Sequence, residues 1–196
     1  MGSNKNGLTR QRVVAAAEAC FARHGVRRTS MVDIADELGV TRQTVYRLFD
    51  SKTAILEYMA NKRIIVLARK LEADFKNFAV LEEALVEGSL KSVQAAREDT
   101  LLAEIFESSE DHDFEQFLFR GSPEIRDFML RLWNPLIDEA RKRGVLRLSI
   151  SNDEAVEWIR NVHAMTALRS DYDDTRQRGM FQKFLLPSLI QVSGEA

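Results

Sequence analysis

The feature that most constrains the fold is a pair of short helical patterns between Ser30 and Lys52, joined by a turn at Gly39. The letters MVDIADEL precede Gly39, and RQTVYRLFD follows Val40 and Thr41. Ser30 and Thr41 are types that cap helix N-termini, because their hydroxyls accept hydrogen bonds from free backbone N–H groups. Gly39 lies where the chain leaves the first helix, a position that often takes a left-handed conformation accessible to glycine. This pattern is typical of a helix-turn-helix, which places its second helix in the major groove of DNA.

The apolar residues around this turn fit two crossing helices. Ala35 lies four residues before Gly39, where a larger side chain would hold the helices apart. The other apolar positions are spaced as a seam between two helices requires. They are Ile34, Leu38, Val40, Val45 and Leu48.

Composition limits the class of protein. With 196 residues, 45% of them hydrophobic, and only 3 Pro and 9 Gly, the chain can form one large helical domain or a small and a larger one. It has no run of 18 apolar residues and no apolar stretch near its start, so we expect a soluble cytoplasmic protein with no membrane span. The single cysteine, Cys20, cannot form an internal disulfide, and its place in an apolar helical repeat predicts a packing role.

Charge divides the chain unevenly. Residues 1–70 carry 13 Lys and Arg against 6 Asp and Glu, a net charge of +7. Residues 71–196 carry 15 against 24, a net charge of −9. Chance clustering of solvated charges is the plain alternative, but the turn motif lies at the centre of the basic part. The asymmetry therefore indicates that only the first part meets a polyanion.

The rest of the chain also has a helical pattern. Ser51 is expected to cap a long helix over about 52–74, and Ser151 or Asn152 a later one. Pro135 is expected to leave the Arg131 carbonyl without its usual partner, and VLRLSIS is interpreted as an extended connector. The remaining helices are predicted over about 8–24, 79–96, 98–109, 123–143, 152–169 and 174–192.

Sixteen positions in the first part resemble a known family. They are Gly25, Thr29, Ser30, Ile34, Ala35, Leu38, Gly39, Val40, Thr44, Val45, Tyr46, Leu48, Phe49, Ser51, Lys52 and Leu56. This arrangement, over about residues 8–56, resembles the DNA-binding domain of the TetR/AcrR family of transcriptional regulators. The resemblance implies an all-α homodimer, generally a repressor, whose C-terminal domain binds a small molecule and dimerises through its last two helices. It implies a helix-turn-helix domain over 1–51, a connecting helix over 52–75 and a ligand-binding and dimerisation domain over 76–196.

The second motif helix supplies the candidates for reading DNA sequence. Arg42, Gln43 and Thr44 lie in its first turn; Arg suits guanine and Gln suits adenine through paired hydrogen bonds. The resemblance implies that Tyr46 and Lys52 contact backbone phosphates.

Six further residues are DNA-contact candidates with plain alternatives. Arg47 can reach either a phosphate or a base. Thr29, Ser30 and Thr41 can act as helix caps instead, and Arg27 and Arg28 can simply be solvated. We expect replacement of Tyr46 or Lys52 to weaken binding to every sequence, and replacement of Gln43 to change the preferred sequence.

The acidic part contains aromatic and sulfur-containing residues that could line an apolar cavity between helices. The alternative for each is ordinary core, and only the resemblance favours a pocket. The ligand-binding candidates are Phe106, Phe117, Met129, Trp133, Trp158 and Met165, with Phe114, Phe119 and Phe128 nearby in the sequence. We expect an apolar or amphipathic small-molecule effector, whose identity the residues leave open.

Catalytic and metal-binding patterns are not evident. His112 lies between two aspartates and His163 stands alone, without the ligand spacing that a metal site needs, so we assign no metal and no cofactor. No serine elbow or glycine-rich phosphate loop is present, and we expect no enzyme.

The leading hypothesis is a homodimeric repressor that a small molecule releases from an inverted-repeat operator. The chain's last two helices carry apolar faces that could form a two-fold interface or pack only within the subunit. A dimeric ligand-binding or interaction protein without operator recognition is the alternative, and an activator role also stays open.

Overall fold

The structure, a computed structural model, describes residues 8–108, 117, 119–147, 149–169 and 171–191. The predicted all-α class is confirmed, since the described residues form helices and no named strand. None of the described helices is long and apolar enough to cross a membrane. The helices are α1 (Arg10–His24), α2 (Met31–Leu38), α3 (Arg42–Tyr46), α4 (Lys52–Asn77), α5 (Leu81–Glu83, Ala84–Gly88 and Ser89–Arg97), α6 (Thr100–Ser108), α7 (Pro123–Lys142), α8 (Asn152–Ala167) and α9 (Asp174–Met180, Phe181–Leu185 and Leu186–Leu189).

Hydroxyl side chains begin most of these helices, as the sequence predicts. Ser51 Oγ accepts from the Ala54 N–H at 3.0 Å and starts α4. Of the two residues predicted as possible caps of α8, Ser151 is the cap. It forms a reciprocal capping box with Glu154. The hydrogen bonds from the Ser151 hydroxyl and backbone N–H hold the pKa of Glu154 below its usual value.

Helices α5 and α9 each contain one π turn. Their middle segments, Ala84–Gly88 and Phe181–Leu185, pack against each other. Gly88 has no room for a side chain, because a Cβ there would lie 2.9 Å from Phe75 Cζ. An ion pair between Glu87 and Arg178 joins the same two helices at the surface.

The connector before α8 begins extended, as predicted, but turns before the helix, where the Ile150 N–H donates to the Arg147 carbonyl at 3.2 Å. It forms one antiparallel bridge, between Leu146 and Ile190. The Arg147 N–H donates to the Leu189 carbonyl at 3.0 Å, and the Gln191 N–H donates to the Val145 carbonyl at 2.7 Å. These bonds attach the end of α9 to the start of the connector.

The apolar interior consists of two clusters of buried side chains. The first contains residues of α1, α2, α3 and the start of α4, including Cys20, whose predicted packing role is confirmed. Leu102 and Ile105 of α6 also belong to this cluster. The second contains the end of α4 together with α5, α7, α8 and α9. Helix α4 contributes buried residues to both clusters, and α6 packs against α5 as well as against the first cluster. Both helices therefore contact the N-terminal helices and the C-terminal bundle.

Candidate nucleic-acid interface and inner cavity

The turn between α2 and α3 takes the left-handed conformation that the sequence predicts. Gly39 has φ 64° and ψ 34°, and the Val40 N–H donates to the Ala35 carbonyl at 3.0 Å. A Cβ at Gly39 would meet nothing within 4 Å, so backbone conformation rather than space requires glycine here. Ala35 is buried where α2 and α3 pack together.

A reciprocal capping box fixes the start of α2. The Asp33 N–H donates to Ser30 Oγ at 3.3 Å, and the Ser30 N–H and hydroxyl both donate to Asp33 Oδ2 at 2.7 Å. These bonds from Ser30 to the carboxylate lower the pKa of Asp33. The box satisfies two backbone N–H groups that would otherwise lack a partner at the start of α2.

Helix α3 buries one residue and exposes a polar face. Val45 is fully buried, whereas Arg42, Gln43, Tyr46 and Arg47 are exposed. In a helix, positions four apart share a side, so Arg42 lies beside Tyr46 and Gln43 beside Arg47. The exposed face therefore carries two cations, an amide and a phenol, which can bind phosphates and base edges.

Hydroxyl groups also fix the first turn of α3. Thr41 Oγ1 accepts from the Thr44 N–H at 3.4 Å and lies 2.9 Å from Thr44 Oγ1. Thr41 thus acts as the cap, and it is exposed.

The loop before α2 is attached to the start of α4. Lys52 Nζ donates to the Val26 carbonyl at 3.0 Å and to the Arg27 carbonyl at 3.4 Å. The Thr29 hydroxyl donates to the Gly25 carbonyl at 2.9 Å, and this residue is only 2% exposed. Thr29 therefore does not cap α2, because Ser30 does, and its hydroxyl is bonded within the loop, while Arg28 is exposed.

Polar contacts connect the N-terminal helices to the C-terminal bundle. Arg27 Nη2 donates to the Glu107 carbonyl at the end of α6, at 3.3 Å. On α4, Arg63 Nε donates to Asp99 Oδ2 at 2.5 Å, and Asp99 Oδ1 accepts from the Leu102 N–H at 3.1 Å. Helix α6 is consequently held at both ends: its start by α4 and its end by the loop before α2.

An inner cavity lies between helices of the C-terminal bundle. Its volume is about 130 Å³. Its walls come from α4, α5, α6, α7 and α8. The lining residues are Ile64, Leu67, Ala68, Leu71, Ser92, Val93, Ala96, Leu102, Phe106, Phe117, Gly121, Ile125, Met129, Leu132, Arg160, His163, Ala164 and Ala167.

Three of the six predicted pocket residues line this cavity, and three do not. Phe106, Phe117 and Met129 lie on its wall. Trp133 is instead fully buried in the second core cluster, where its ring packs edge-on against Phe75. The expectation that Trp158 and Met165 line the cavity is wrong, because α8 turns them outward, 42% and 45% exposed. Phe114 lies outside the described residues.

The sequence analysis missed the polar side of the cavity. Arg160 and His163 lie one turn apart on the inner face of α8. Burial lowers the pKa of Arg160, which the nearby Glu157 partly counteracts, and burial lowers the pKa of His163 to about 4. One pattern in the sequence could have identified these two residues. They are in helical register with Val156 and Ala167, on a face of the helix that is otherwise apolar or small.

His112, one of the two histidines considered as metal ligands, lies outside the described residues. His163 lines the cavity, and the described residues contain no group of three His, Cys, Asp or Glu side chains that could hold a metal ion.

The sequence is similar to known bacterial regulators. Residues 13–59 match the family described as "Bacterial regulatory proteins, tetR family". An Escherichia coli (strain K12) protein named "Probable acrEF/envCD operon repressor" is 34% identical over 112 residues, which cover 54% of this chain and 50% of that protein. The HTH-type transcriptional repressor KstR2 of Rhodococcus jostii is 26% identical over 170 residues, covering 85% and 81%. The chain spans about half the length of the first of these relatives.

Solved structures have the same fold. The Thermus thermophilus repressor FadR, in complex with lauroyl-CoA, gives a TM-score of 0.66 at 23% identity and covers 96% of this chain and 97% of that one. The repressor AlkX from Dietzia sp., implicated in biodegradation of n-alkanes, gives a TM-score of 0.60 at 18% identity, with coverage of 94% and 98%.

Proposed function

We propose that this chain, whose residues 13–59 match the TetR family of bacterial regulatory proteins, is a cytoplasmic, non-catalytic repressor of that family that dissociates from operator DNA when a small molecule binds. The observation that carries the proposal is the exposed polar face of α3. It combines Arg42 and Gln43, which suit guanine and adenine, with Tyr46 and Arg47. The left-handed turn at Gly39 holds that face at a defined angle to α2.

Recognition of an inverted repeat needs two such faces in one particle. The last two helices supply a surface for a two-fold contact, because Trp158 and Met165 of α8 and Phe184 of α9 are 42%, 45% and 62% exposed. Trp158 Nε1 donates to Ser188 Oγ at 2.9 Å, so the two helices present these side chains together. An exposed apolar patch of this kind supports a homodimer with a closed, isologous interface.

Helix α6 supports a connection between cavity and DNA-binding face. Leu102 and Phe106 line the cavity, while Leu102 and Ile105 are buried in the core of the N-terminal helices. The Glu107 carbonyl accepts from Arg27 in the loop before α2. A ligand that prefers a shifted α6 would thus alter the spacing of the two α3 helices, which must match grooves about 34 Å apart.

The cavity supports an apolar or amphipathic effector. Most of its lining side chains are aliphatic or aromatic, and Met129 adds a flexible one. The FadR structure of similar fold is a complex with lauroyl-CoA, an amphipathic molecule with an acyl chain, which supports an effector of this kind.

Selection from a pool of random duplexes tests the proposal, with binding to the selected duplex then measured by fluorescence anisotropy at several salt concentrations. We expect affinity to fall steeply with salt, because phosphate contacts release counterions. Arg42→Ala should weaken binding about tenfold or more, whereas Arg126→Ala, which removes an exposed cation from α7, should not.

A failed selection would identify the alternative. No salt-sensitive binding to any duplex, in a folded protein that still binds small molecules, would contradict the repressor and favour a dimeric ligand-binding protein without operator recognition.

A further inference from the structure

One wall of the inner cavity differs chemically from the others. Helix α8 contributes Arg160 and His163, one turn apart, followed by the small residues Ala164 and Ala167. The other polar side chain among the lining residues is Ser92, whose hydroxyl donates to the Gly88 carbonyl at 2.7 Å. The capacity to bind a polar ligand group is therefore concentrated at Arg160 and His163.

The chain leaves space for the Arg160 guanidinium at the cavity wall. Gly121 lies against it: a Cβ at this position would be 2.8 Å from Arg160 Nη1 and 3.2 Å from Cζ. Gly121 also has a φ of +65°, which glycine adopts at little cost. Any side chain at residue 121 would therefore require the guanidinium to shift.

His163 lines the same wall and contains an unsatisfied polar atom. Its Nε2 is shielded from solvent and has no hydrogen-bond partner among the described residues. The rings of Trp133 and Phe181 lie 6.2 Å and 6.3 Å from the imidazole, so the surroundings are largely aromatic. Leaving a buried polar atom without a partner costs free energy, and a ligand that supplies one removes that cost.

We infer that the effector is an amphipathic carboxylate, whose carboxylate group lies between Arg160 and His163 and whose apolar body lies along α4. This inference rests on the proposed function and specifies the class of its ligand. A guanidinium matches a carboxylate with two parallel N–H donors, and a neutral imidazole can donate one more hydrogen bond to it. Burial favours the neutral form of His163, whose pKa is lowered to about 4.

The opposite wall accommodates the apolar body. Ile64, Leu67, Ala68 and Leu71 follow one another along the inner face of α4. From Ile64 to Leu71 the helix rises roughly 10 Å, comparable to an extended chain such as that of octanoate. A straight or compact apolar group of this length can pack there while the carboxylate reaches α8.

Three probes with the same apolar chain test the inference: octanoate, 1-octanol and octylamine, titrated into the full-length protein by calorimetry at pH 7. We expect octanoate to bind at least about tenfold more tightly than 1-octanol, because charge-assisted hydrogen bonds are the stronger ones. Octylamine should bind weakest, because its cation meets Arg160. Octanoate binding that is absent, or no tighter than that of 1-octanol, overturns the inference.

Variants at the two polar residues locate the carboxylate. Arg160→Met should remove the preference for octanoate while leaving 1-octanol binding unchanged, and the matched surface variant Arg126→Met should retain the preference. His163→Phe should weaken octanoate binding several-fold, and His163→Gln, which keeps a polar group, should restore part of it. Equal losses for octanoate and 1-octanol in Arg160→Met would show a structural effect and overturn the assignment.

Failure of this inference is distinguishable from failure of the proposed function. The titrations contain no DNA, and the duplex selection contains no ligand. Salt-sensitive operator binding together with no carboxylate preference would overturn the ligand class alone. Carboxylate binding together with no duplex binding would leave the ligand class supported and contradict the repressor.

Discussion

Thr29 and Ser30 are neighbouring hydroxyl residues with different roles. The Thr29 side chain is buried and donates to the Gly25 carbonyl, whereas Ser30 is exposed and caps α2. Both types can cap a helix or contact a phosphate, so residue type left the choice open. The backbone path decided it, because it turns one hydroxyl toward the α1–α2 loop and the other toward the first turn of α2.

Gln43 and Lys52 should affect DNA binding in different ways. Gln43→Ala should reduce affinity for the preferred duplex by about 1–3 kcal/mol and leave binding to unrelated duplexes almost unchanged. Lys52→Met should weaken binding to every duplex, because it removes a cation and releases the loop that Lys52 holds at the Val26 and Arg27 carbonyls. Anisotropy titrations with matched and mismatched duplexes measure both, and equal losses on all duplexes for both variants would contradict this division.

His163 should make the stability of the protein depend on pH. Burial lowers its pKa to about 4 in the native state, against about 6.5 unfolded. Between these two pH values the unfolded chain binds more protons than the native protein. The free energy of unfolding is therefore highest above pH 6.5 and decreases as the pH falls toward 4. The loss is on the order of 3 kcal/mol at most.

Replacing His163 should remove that contribution. We expect His163→Phe and His163→Gln both to lose less stability than the original protein between pH 7 and pH 4, since neither side chain titrates. Chemical denaturation at several pH values measures this difference. An unchanged pH dependence in both variants would show that His163 is not a buried neutral group in solution.

At the scale of helices and turns, Gly39 and Gly179 share open surroundings but differ in conformation. A Cβ at either residue would meet nothing within 4 Å. Gly39 has a positive φ, whereas Gly179 lies within α9. Gly39→Ala should destabilise the protein by about 1–2 kcal/mol, because an L-residue is strained there.

Gly179→Ala is the matched comparison. It should stabilise the protein by about 0.5–1 kcal/mol, because alanine loses less backbone freedom than glycine in a helix. Denaturant midpoints of the two variants measure the contrast. Destabilisation by both to the same degree would mean that an added methyl group, and not backbone conformation, determines the effect.

Helix α8 explains why sequence reasoning found only part of the cavity. Arg160 and His163 face inward, while Trp158 and Met165 face outward. Apolar residues thus occur on the outer side, where we propose a second subunit, and the polar pair occurs on the inner side. A helix with partners on two sides has no single apolar stripe, so periodicity alone could not say which side faces the ligand.

At the scale of the whole molecule, the exposed apolar residues of α8 and α9 predict a dimer that a single charge should disrupt. Phe184→Glu should convert the dimer to a monomer and reduce operator affinity at least about tenfold, because two linked half-site contacts become independent. Analytical ultracentrifugation measures the first effect and anisotropy the second. Val32→Glu places the same charge at an exposed apolar residue of α2 and should leave the dimer intact. A monomer in both variants, or in neither, would contradict the proposed interface.

The sequence by itself determined the helices, their caps and the turn at Gly39. These features depend on neighbouring residues: a hydroxyl and a free N–H three positions on, or a glycine where φ must be positive. Only the tertiary structure decided that α6 contacts both cores, that Lys52 holds the first loop, and that Arg160 and His163 share a cavity wall beside Gly121. Those relations join residues far apart in the chain, and their geometry depends on how whole helices pack, which no local pattern specifies.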